Sequence, residues 1–366
     1  MKSMKILFIS FKVLCIFATV IMVGFWLYKF KQDHDVTLIE YKELEDLDEF
    51  IYPETTLCFY NAFIPNENFN VTLTKLLFQS RKSLLKYIAY FKGNVKDVKA
   101  YNDIKYDQIS VNLDDYLQKI KFVWKAGKVP PGYPCKDINH CPYYNVINNY
   151  NGFSNDNDLL KCFGISLNNP YAKDVTNMRI IFNSTLKNAI KRSSFVKVFF
   201  NYPNQFTRPR GGPVSAWQKN ANNNIELVQI TSVDLLKRRN KRGEKCTDQW
   251  DRFDDLVLES HMEHAGCRAP YISKFTNFPI CKTRNGIRKS KYYGSSLQKV
   301  YLENPCQEMP NIEFQHSSIK AINIDEYRLI VSYPVKGKVI TQLKEVDAHS
   351  LIGNIGGYIG LFLGKF

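Results

Sequence analysis

The sequence predicts an α+β membrane protein: a transmembrane helix near the N-terminus, a disulfide-rich extracellular domain, and the opening turns of a second, incomplete transmembrane helix. Three observations lead there. The run ILFISFKVLCIFATVIMVGFWLYKF, Ile6 to Phe30, is apolar but for Ser10, Lys12, Thr19 and Lys29. At about 1.5 Å per residue it is long enough to cross a hydrocarbon core of about 30 Å. Of nine cysteines, Cys15 lies inside this run and the rest are scattered behind it without a C-x-x-C pair, the pattern of a disulfide framework in an oxidising compartment. The chain closes on SLIGNIGGYIGLFLGKF, with Gly356, Gly360 and Gly364 at every fourth position and Gly353 and Gly357 forming a second such pair. In a soluble helix interior each glycine costs about 1 kcal/mol against alanine, whereas in a membrane the same spacing lets two helix backbones approach closely.

The first run ends on the bulky FWLYKF without a small-x-small cleavage site, which favours a retained span over a signal peptide. Lys2, Lys5 and Lys12 precede its end and Lys29 and Lys31 follow, so charge orients it only weakly. The cysteines decide the side, with support from two sequons, Asn70-Val71-Thr72 and Asn183-Ser184-Thr185, whose Asn70 and Asn183 are the expected glycosylation sites. The expected division is a cytoplasmic stub at 1–5, the membrane helix at 6–30, an extracellular domain at 31–349 and the start of a second span at 350–366, in the plasma membrane. Across 366 residues, 45% hydrophobic and 23% charged residues are a globular balance with a sizeable core. A net charge of +15 would suit nucleic acid or an anionic membrane surface. An extracellular location removes nucleic acid as a partner and leaves the lipid bilayer.

Within the extracellular part no repeat or low-complexity linker is visible, so one interlocked unit is expected. IYPETTLCFY (51–60) is extended. LTKLLFQSRKSLLKYIAYF (73–91) has helical spacing at Leu73, Leu76, Leu77, Leu84, Tyr87, Ile88 and Phe91, and VNLDDYLQKIKFVW (111–124) is expected to be another helix. CFGISL (162–167), MRIIFN (178–183), FVKVFFNY (195–202) and NIELVQITSV (224–233) are expected strands. The block 252–265 is expected to be helical, with Gly266 as its C-cap. IEFQHSSIK, EYRLIVSY and KVITQLKEV are expected strands leading into the glycine-spaced ending. Strands at both ends of the domain with helices between make the class α+β.

A search for catalytic motifs finds no G-x-S-x-G, no GxxxxGK[ST] and no HExxH, and GNIGGYIG lacks GxGxxG spacing. An enzyme is therefore not expected, and neither a cofactor nor a metal. HMEH, with His261 and His264 one helical turn apart, could present zinc ligands, but a solvated face of an amphipathic helix is the expected reading. Cys135 and Cys141, with His140 between them, could also ligate a metal, and a local disulfide is the favoured alternative. RRNKR (238–242) contains the dibasic pattern of a convertase site or is simply a basic loop before Cys246.

Several of these stretches together resemble the degenerin/epithelial sodium channel family, invertebrate branch. YPETTLC (52–58) looks like that family's stretch after the first membrane span. KCFGISLNN (161–169) is similar to its G-x-C-[FY]-T-[FL]-N signature, and FFNYPNQF (199–206) to its H-x-P-x-Q-F strand. LLKRRNKRGEKC (235–246), Trp250, AGCRAPYI (265–272) and SLIGNIGGYIGLFLG (350–364) complete a resemblance running from about residue 13 to 364. It implies a trimeric, two-span, amiloride-sensitive cation channel with a β-sheet palm and helical thumb and finger, its partners being sodium ion and homologous subunits in a homo- or heterotrimer. It further implies that Cys58 pairs with Cys162 and Cys135 with Cys141. Cys246, Cys267, Cys281 and Cys306 would staple the thumb in an order it leaves open. Gly353 would fall at the gating position, Asn354 and Gly357 where the pore narrows, and Gly364 at the first residue of the selectivity filter.

The departures lie where conduction would occur. Lys365 and Phe366 take the next two filter positions, and Leu351 to Phe366 provides roughly 24 Å of helix. The family's His-Gly gating motif ahead of the first span has no counterpart in the short stub. The expectation is a truncated channel subunit that does not conduct alone. The alternative is a single-pass interaction protein that co-assembles with full-length subunits and regulates them.

Overall fold

The structure is a computed structural model and describes residues 2–43, 52–60, 113–134, 141–153, 159–167, 171–187, 196–205, 214–217, 223–241, 243–249, 252–268, 275–281, 286, 289–290, 303–322 and 326–363. The first apolar run forms helix α1, Lys2–Gln32. Its segment Ile6–Gln32 is long and apolar enough to cross a membrane, and most of its apolar side chains are exposed, as in a helix that lipid would cover.

Directly after α1 the chain turns at Asp33, whose φ is 56°, into β1, Asp35–Glu43. β1 pairs antiparallel with β14, Lys336–Lys344, with Asp35 opposite Lys344. This places the end of α1 beside the exit of β14, which leads into α3, Ala348–Leu363. Both helices therefore leave the same end of one sheet, and α1 packs along α3. Asp347 accepts the Ser350 N–H at 2.6 Å, capping the first turn of α3.

That sheet has seven strands, and its spine is β9, Ile225–Lys237. Along one edge of β9 run β13, Tyr327–Ser332, against its first half and β14 against its last residues, both parallel to it. The other edge is taken by β12, Gln307–Ile319, antiparallel. Beyond β13 lie β6, Val175–Phe182, and β3, Leu117–Trp124. A second, five-stranded antiparallel sheet has the order β4 (Tyr144–Phe153), β5 (Leu159–Leu167), β2 (Glu54–Tyr60), β7 (Val196–Asn201), β8 (Val214–Ala216).

One apolar core joins the two sheets. Leu57, Phe163, Val198 and Phe200 from the five-stranded sheet meet Met178, Phe182, Val228 and Val331 from the seven-stranded one, all almost wholly buried. Aromatic pairs bridge the layers: Phe200 lies 5.5 Å from Phe314, and Tyr52 lies 4.6 Å from Tyr333. Burial pushes the Tyr333 phenol far above its ordinary pKa.

One expected helix is a correction. Residues 111–124 were expected to be helical; the described part forms a 3-10 turn, Leu113–Asp115, and then β3. Leu113, Leu117 and Ile120 are nevertheless buried at helix-like intervals. The cause is a register shift between Leu117 and Lys119 against β6, a bulge that turns two side chains three residues apart to the same face. Strands β1, β4 and β8 were not expected at all, nor were the two-residue strands Cys246–Thr247 and Asn304–Pro305. The expected helix over 73–91 lies outside the described residues.

Helix α2, Phe253–Ala265, ends at Gly266, which adopts φ 66° and donates its N–H to the Glu263 carbonyl at 3.2 Å. Glycine suits this left-handed C-cap because a side chain there is strained. Disulfides bracket the helix: Cys246 is bonded to Cys306, and Cys267 to Cys281. Cys246 belongs to β10, Cys246–Thr247, which pairs in parallel with β11, Asn304–Pro305.

Candidate functional site

The place where the helices meet the sheet concentrates charge. Asp33 and Asp35 sit at the turn between α1 and β1. Arg239, in the loop after β9, reaches both: its guanidinium lies 2.9 Å from Asp33 and 2.6 Å from Asp35. The Nη2 of Arg239 that contacts Asp35 also donates to the Asp33 carbonyl at 2.9 Å. Lys241 bonds the second oxygen of Asp35 at 3.0 Å and also pairs with Glu244 at 2.7 Å. Across β14, Lys344 stands 3.6 Å from Asp33 and 3.4 Å above the Phe30 ring centroid. Lys29 pairs with Glu345 at 2.5 Å, and the Glu345 N–H donates to the His34 carbonyl at 2.9 Å.

The side chains of Asp33, Asp35 and Arg239 are less than one fifth exposed. Burial alone would raise the Asp35 carboxyl, but hydrogen bonds from Lys241 and Arg239 and their positive charge hold it below the usual aspartate value. Lys241 is raised by its hydrogen bonds to Glu244 and Asp35. The cluster can hold the helix exit against the sheet; it has no nucleophile and no open ligand set. The RRNKR run is thus a structural element at this junction, with Arg238 paired to Glu308 at 2.5 Å as well; Arg242 lies outside the described residues.

Of the residues expected to line or gate a pore, Gly353, Asn354 and Gly357 lie on α3. Gly353 and Gly357 are exposed and Asn354 is half-buried. A Cβ placed on Gly353, Gly356, Gly357 or Gly360 would meet nothing within 4 Å, so the glycine ridge faces away from α1. The half-buried positions of α3, Leu351, Asn354, Ile355, Tyr358 and Phe362, recur every three or four residues on the opposite side. On α1, Cys15 and Thr19 are buried within the helix pair, and the Thr19 hydroxyl donates to the Cys15 carbonyl at 2.8 Å. Gly364 lies outside the described residues.

Cys58 and Cys162 stand opposite each other on β2 and β5 and are bonded. Cys141 is disulfide-bonded too, but Cys135 lies outside the described residues. Asn183 follows β6 and is half-buried; its amide donates to the Asp115 carbonyl at 3.0 Å while its oxygen accepts from the Thr185 N–H at 3.1 Å and from the Thr185 hydroxyl. Asn70 is outside the described residues.

HMEH is only partly a solvated face. His264 is exposed, but His261 is 1% exposed, and burial lowers its pKa from the ordinary histidine value. No group of three or more potential metal ligands occurs among the described residues.

Sequence reasoning missed one buried polar cluster. Glu226 of β9, 1% exposed, accepts the Trp217 backbone N–H at 2.8 Å. Its other oxygen meets His316 Nε2 at 2.7 Å and accepts the Ser318 hydroxyl from the facing strand β12. Serine, histidine and glutamate would be the right types for nucleophilic catalysis, but both donors converge on the same carboxylate oxygen. Ser318 Oγ stands 3.5 Å from His316 Nε2 and gives its proton to Glu226, so no relay is formed. The signal was present in the alternation of β9, where a glutamate falls on the buried phase.

No protein-family model matches the chain, and no curated protein matches it. Among solved structures, the chain is similar to one titled "Cryo-EM structure of a proton-activated chloride channel", at 8% sequence identity over 98% of this chain and 92% of that one, with a TM-score of 0.30. A superposition that loose carries neither fold nor function across.

Proposed function

We propose that the chain is a non-enzymatic subunit of a trimeric, sodium-permeable cation channel of the degenerin/epithelial sodium channel type, held in the plasma membrane with its sheet domain outside the cell. The observation that supports this best is the rooting of two apolar helices, α1 and α3, on neighbouring strands β1 and β14 at one end of a disulfide-braced two-sheet domain. Motion of the sheet would act on both helices together through such a joint, which is what a stimulus-gated channel requires. The exposed glycine ridge of α3 would then face the same ridge of neighbouring subunits, where the absence of side chains permits close approach. Gly353 and Gly357 would line that contact, whereas Asn354 lies on the other side of α3.

The test is oligomeric state joined to conduction. The protein is expressed in oocytes alone and together with complete subunits of the family. Mass photometry of detergent-extracted particles is expected to give three subunits, and co-expression is expected to change an amiloride-blocked sodium current. A monomer that neither co-purifies with those subunits nor alters their current would refute the reading.

A further inference from the structure

The seven-stranded sheet ends at β3, and there the charge is of one sign. From Leu117 to Lys128 the chain reads LQKIKFVWKAGK, with lysines at 119, 121, 125 and 128 and no acid. Ile120 and Phe122 of β3 point into the core, opposite Ile180 and Met178 of β6. The alternate positions face outward, so Lys119 and Lys121 stand on the solvent side, and Lys121 lies directly opposite Arg179, both exposed. Among the described residues no carboxylate pairs with Lys119, Lys121 or Arg179, whereas Arg238, Arg239 and Lys241 at the helix exit each meet one. Like charges facing each other across two strands oppose the pairing. Lysines on an edge strand can serve only to keep other strands away. Here that task has another agent: the Tyr133 hydroxyl accepts the Phe122 N–H at 2.6 Å and donates to the Phe122 carbonyl at 3.0 Å, occupying the outward groups of the edge. Arg179 lies on an interior strand and protects no edge. The row continues past β3. Lys128 is exposed after the turn at Gly127, and the Lys125 N–H donates to the Asp174 carbonyl at 2.8 Å, which brings the exposed Lys173 alongside. Asp114 and Asp115 precede the row, and the half-buried Asp174 adjoins its far end.

We propose that the outer face of β3 and β6 binds a sulfated polysaccharide chain, held by Lys119, Lys121 and Arg179, with Lys128 and Lys173 extending the track. The proposal takes from the channel reading only the placement of this domain outside the cell. Disulfides such as Cys58–Cys162 and Cys246–Cys306 belong to an oxidising compartment, where nucleic acid is not the polyanion at hand. The cations form a flat grid, about 6.7 Å apart along β3 and about 5 Å across to β6. An extended chain with repeated anionic groups can meet several of them at once. A peptide adding a strand would need the outward backbone groups of β3, and Tyr133 already holds those of Phe122. A bilayer surface is too far away. Arg179 is level with Ile330 of β13 and so with Leu227 of β9. From Leu227, β9 continues to Lys237 before the chain reaches the helix exits, roughly 33 Å of strand. Charge is screened over about 8 Å at physiological salt.

The experiment uses the full chain in phosphatidylcholine nanodiscs, produced in cells that make no glycosaminoglycan. The probe is a heparin oligosaccharide, and binding is read by surface plasmon resonance at about 0.15 M salt. Heparin is expected to bind, and desulfated heparin, which keeps its carboxylates, is expected to bind about tenfold more weakly or worse. Lys119→Gln with Lys121→Gln and Arg179→Gln is expected to weaken heparin by about tenfold or more, because three exposed contacts of modest strength are lost together. Lys245→Gln with Lys320→Gln and Lys336→Gln removes the same charge from exposed positions elsewhere and should change the affinity by less than about twofold. Lys121→Glu turns the repulsion with Arg179 into attraction. It is expected to raise the urea midpoint while weakening heparin, a combination that a folding defect cannot imitate. Equal losses in the two triple variants would reduce the effect to net charge and overturn the site. So would an undiminished affinity in Lys121→Glu, no binding by the unaltered protein, or equal binding of the desulfated probe. Tighter binding to phosphatidylserine vesicles than to heparin, lost in the same variants, would overturn the polysaccharide in favour of a membrane surface. No readout depends on current or on subunit number, so failure of the channel reading and failure of this site are separate results.

Discussion

Replacing Glu226 by alanine should destabilise the two-sheet domain by about 3 kcal/mol, and replacing it by glutamine by about 1 kcal/mol. The magnitude follows from what each donor loses. The Trp217 backbone N–H is buried beside a ring that is itself 1% exposed, so without Glu226 it has no route to water. An orphaned buried donor costs about 1–3 kcal/mol. His316, with 27% of its side chain exposed, and Ser318 can regain water, so their loss is smaller, about 1 kcal/mol together. Removing a carboxylate from a buried position returns part of this, because its desolvation is no longer needed. Glutamine keeps an acceptor for Trp217 and turns its amide toward Ser318 and His316, either of which can accept. The assay is urea denaturation of the detergent-solubilised protein under non-reducing conditions, followed by tryptophan fluorescence. If the alanine and glutamine variants unfold at the same midpoint, the hydrogen-bond account of this cluster is wrong. A shift below about 0.5 kcal/mol for alanine would refute it outright.

Three further outcomes are expected. Gly164→Ala should cost about 1–3 kcal/mol in the same assay, because a Cβ there would overlap the carboxylate of the fully buried Glu54, which accepts the Thr56 hydroxyl at 3.0 Å; Gly127→Ala, open on every side but at φ 73°, should cost only its backbone strain of about 1 kcal/mol. Cys58→Ser with Cys162→Ser should cost about 4 kcal/mol, since the bond closes a loop across a sequence separation of 104, and the check is the denaturation midpoint measured with and without reductant. The ion-pair cluster of Asp33, Asp35, Arg239 and Lys241 should be insensitive to mild acid and mild base. Asp35 is lowered on folding, so its contribution is complete above the ordinary aspartate value of 3.8 and is lost as pH falls through the still lower folded value; Lys241 is raised, so its contribution is complete below 10.5 and is lost as pH rises through the higher folded value. Hydrogen exchange of residues 33–43, corrected for intrinsic rates, should therefore be flat from about pH 5 to 9, and a step within that window would contradict the ion-pair geometry.

Much of the fold was legible because buried alternation is a local signal. β9 reads IELVQITSV and β13 reads YRLIVS, and both are strands with a consistent inward phase. The end of α2 was legible for the same reason: Gly266 after HMEHA is a stop whose cause lies within one residue. β3 was illegible because its decisive event is not local. Leu117 and Ile120 imitate a helix until β6 supplies a partner whose register absorbs the extra residue. β1 was missed for the opposite reason. Val36, Leu38, Ile39 and Tyr41 are all substantially exposed, so the strand has no buried phase to reveal, and it exists because β14 offers it a hydrogen-bonding edge.

The same division separates what could be foreseen of the junction from what could not. RRNKR announces itself as a cluster of cations, and charge alone offers two readings, a solvated loop or a protease site. Neither anticipates Asp33 and Asp35, about two hundred residues earlier, because ion pairing carries no periodicity and leaves no trace in either segment by itself. What creates the pairing is topology: β1 lies on β14, β14 lies on the last residues of β9, and the ends of all three strands are thereby brought to one place. Once β9 runs parallel to β14, the loop after Lys237 must emerge where α1 enters, and opposite charges at that point stabilise the crossing that the strands have already enforced. A helix anchored this way inherits its direction from the sheet. Asp35, held by both Arg239 and Lys241, is where side-chain pairing ties the loop after β9 to the start of β1.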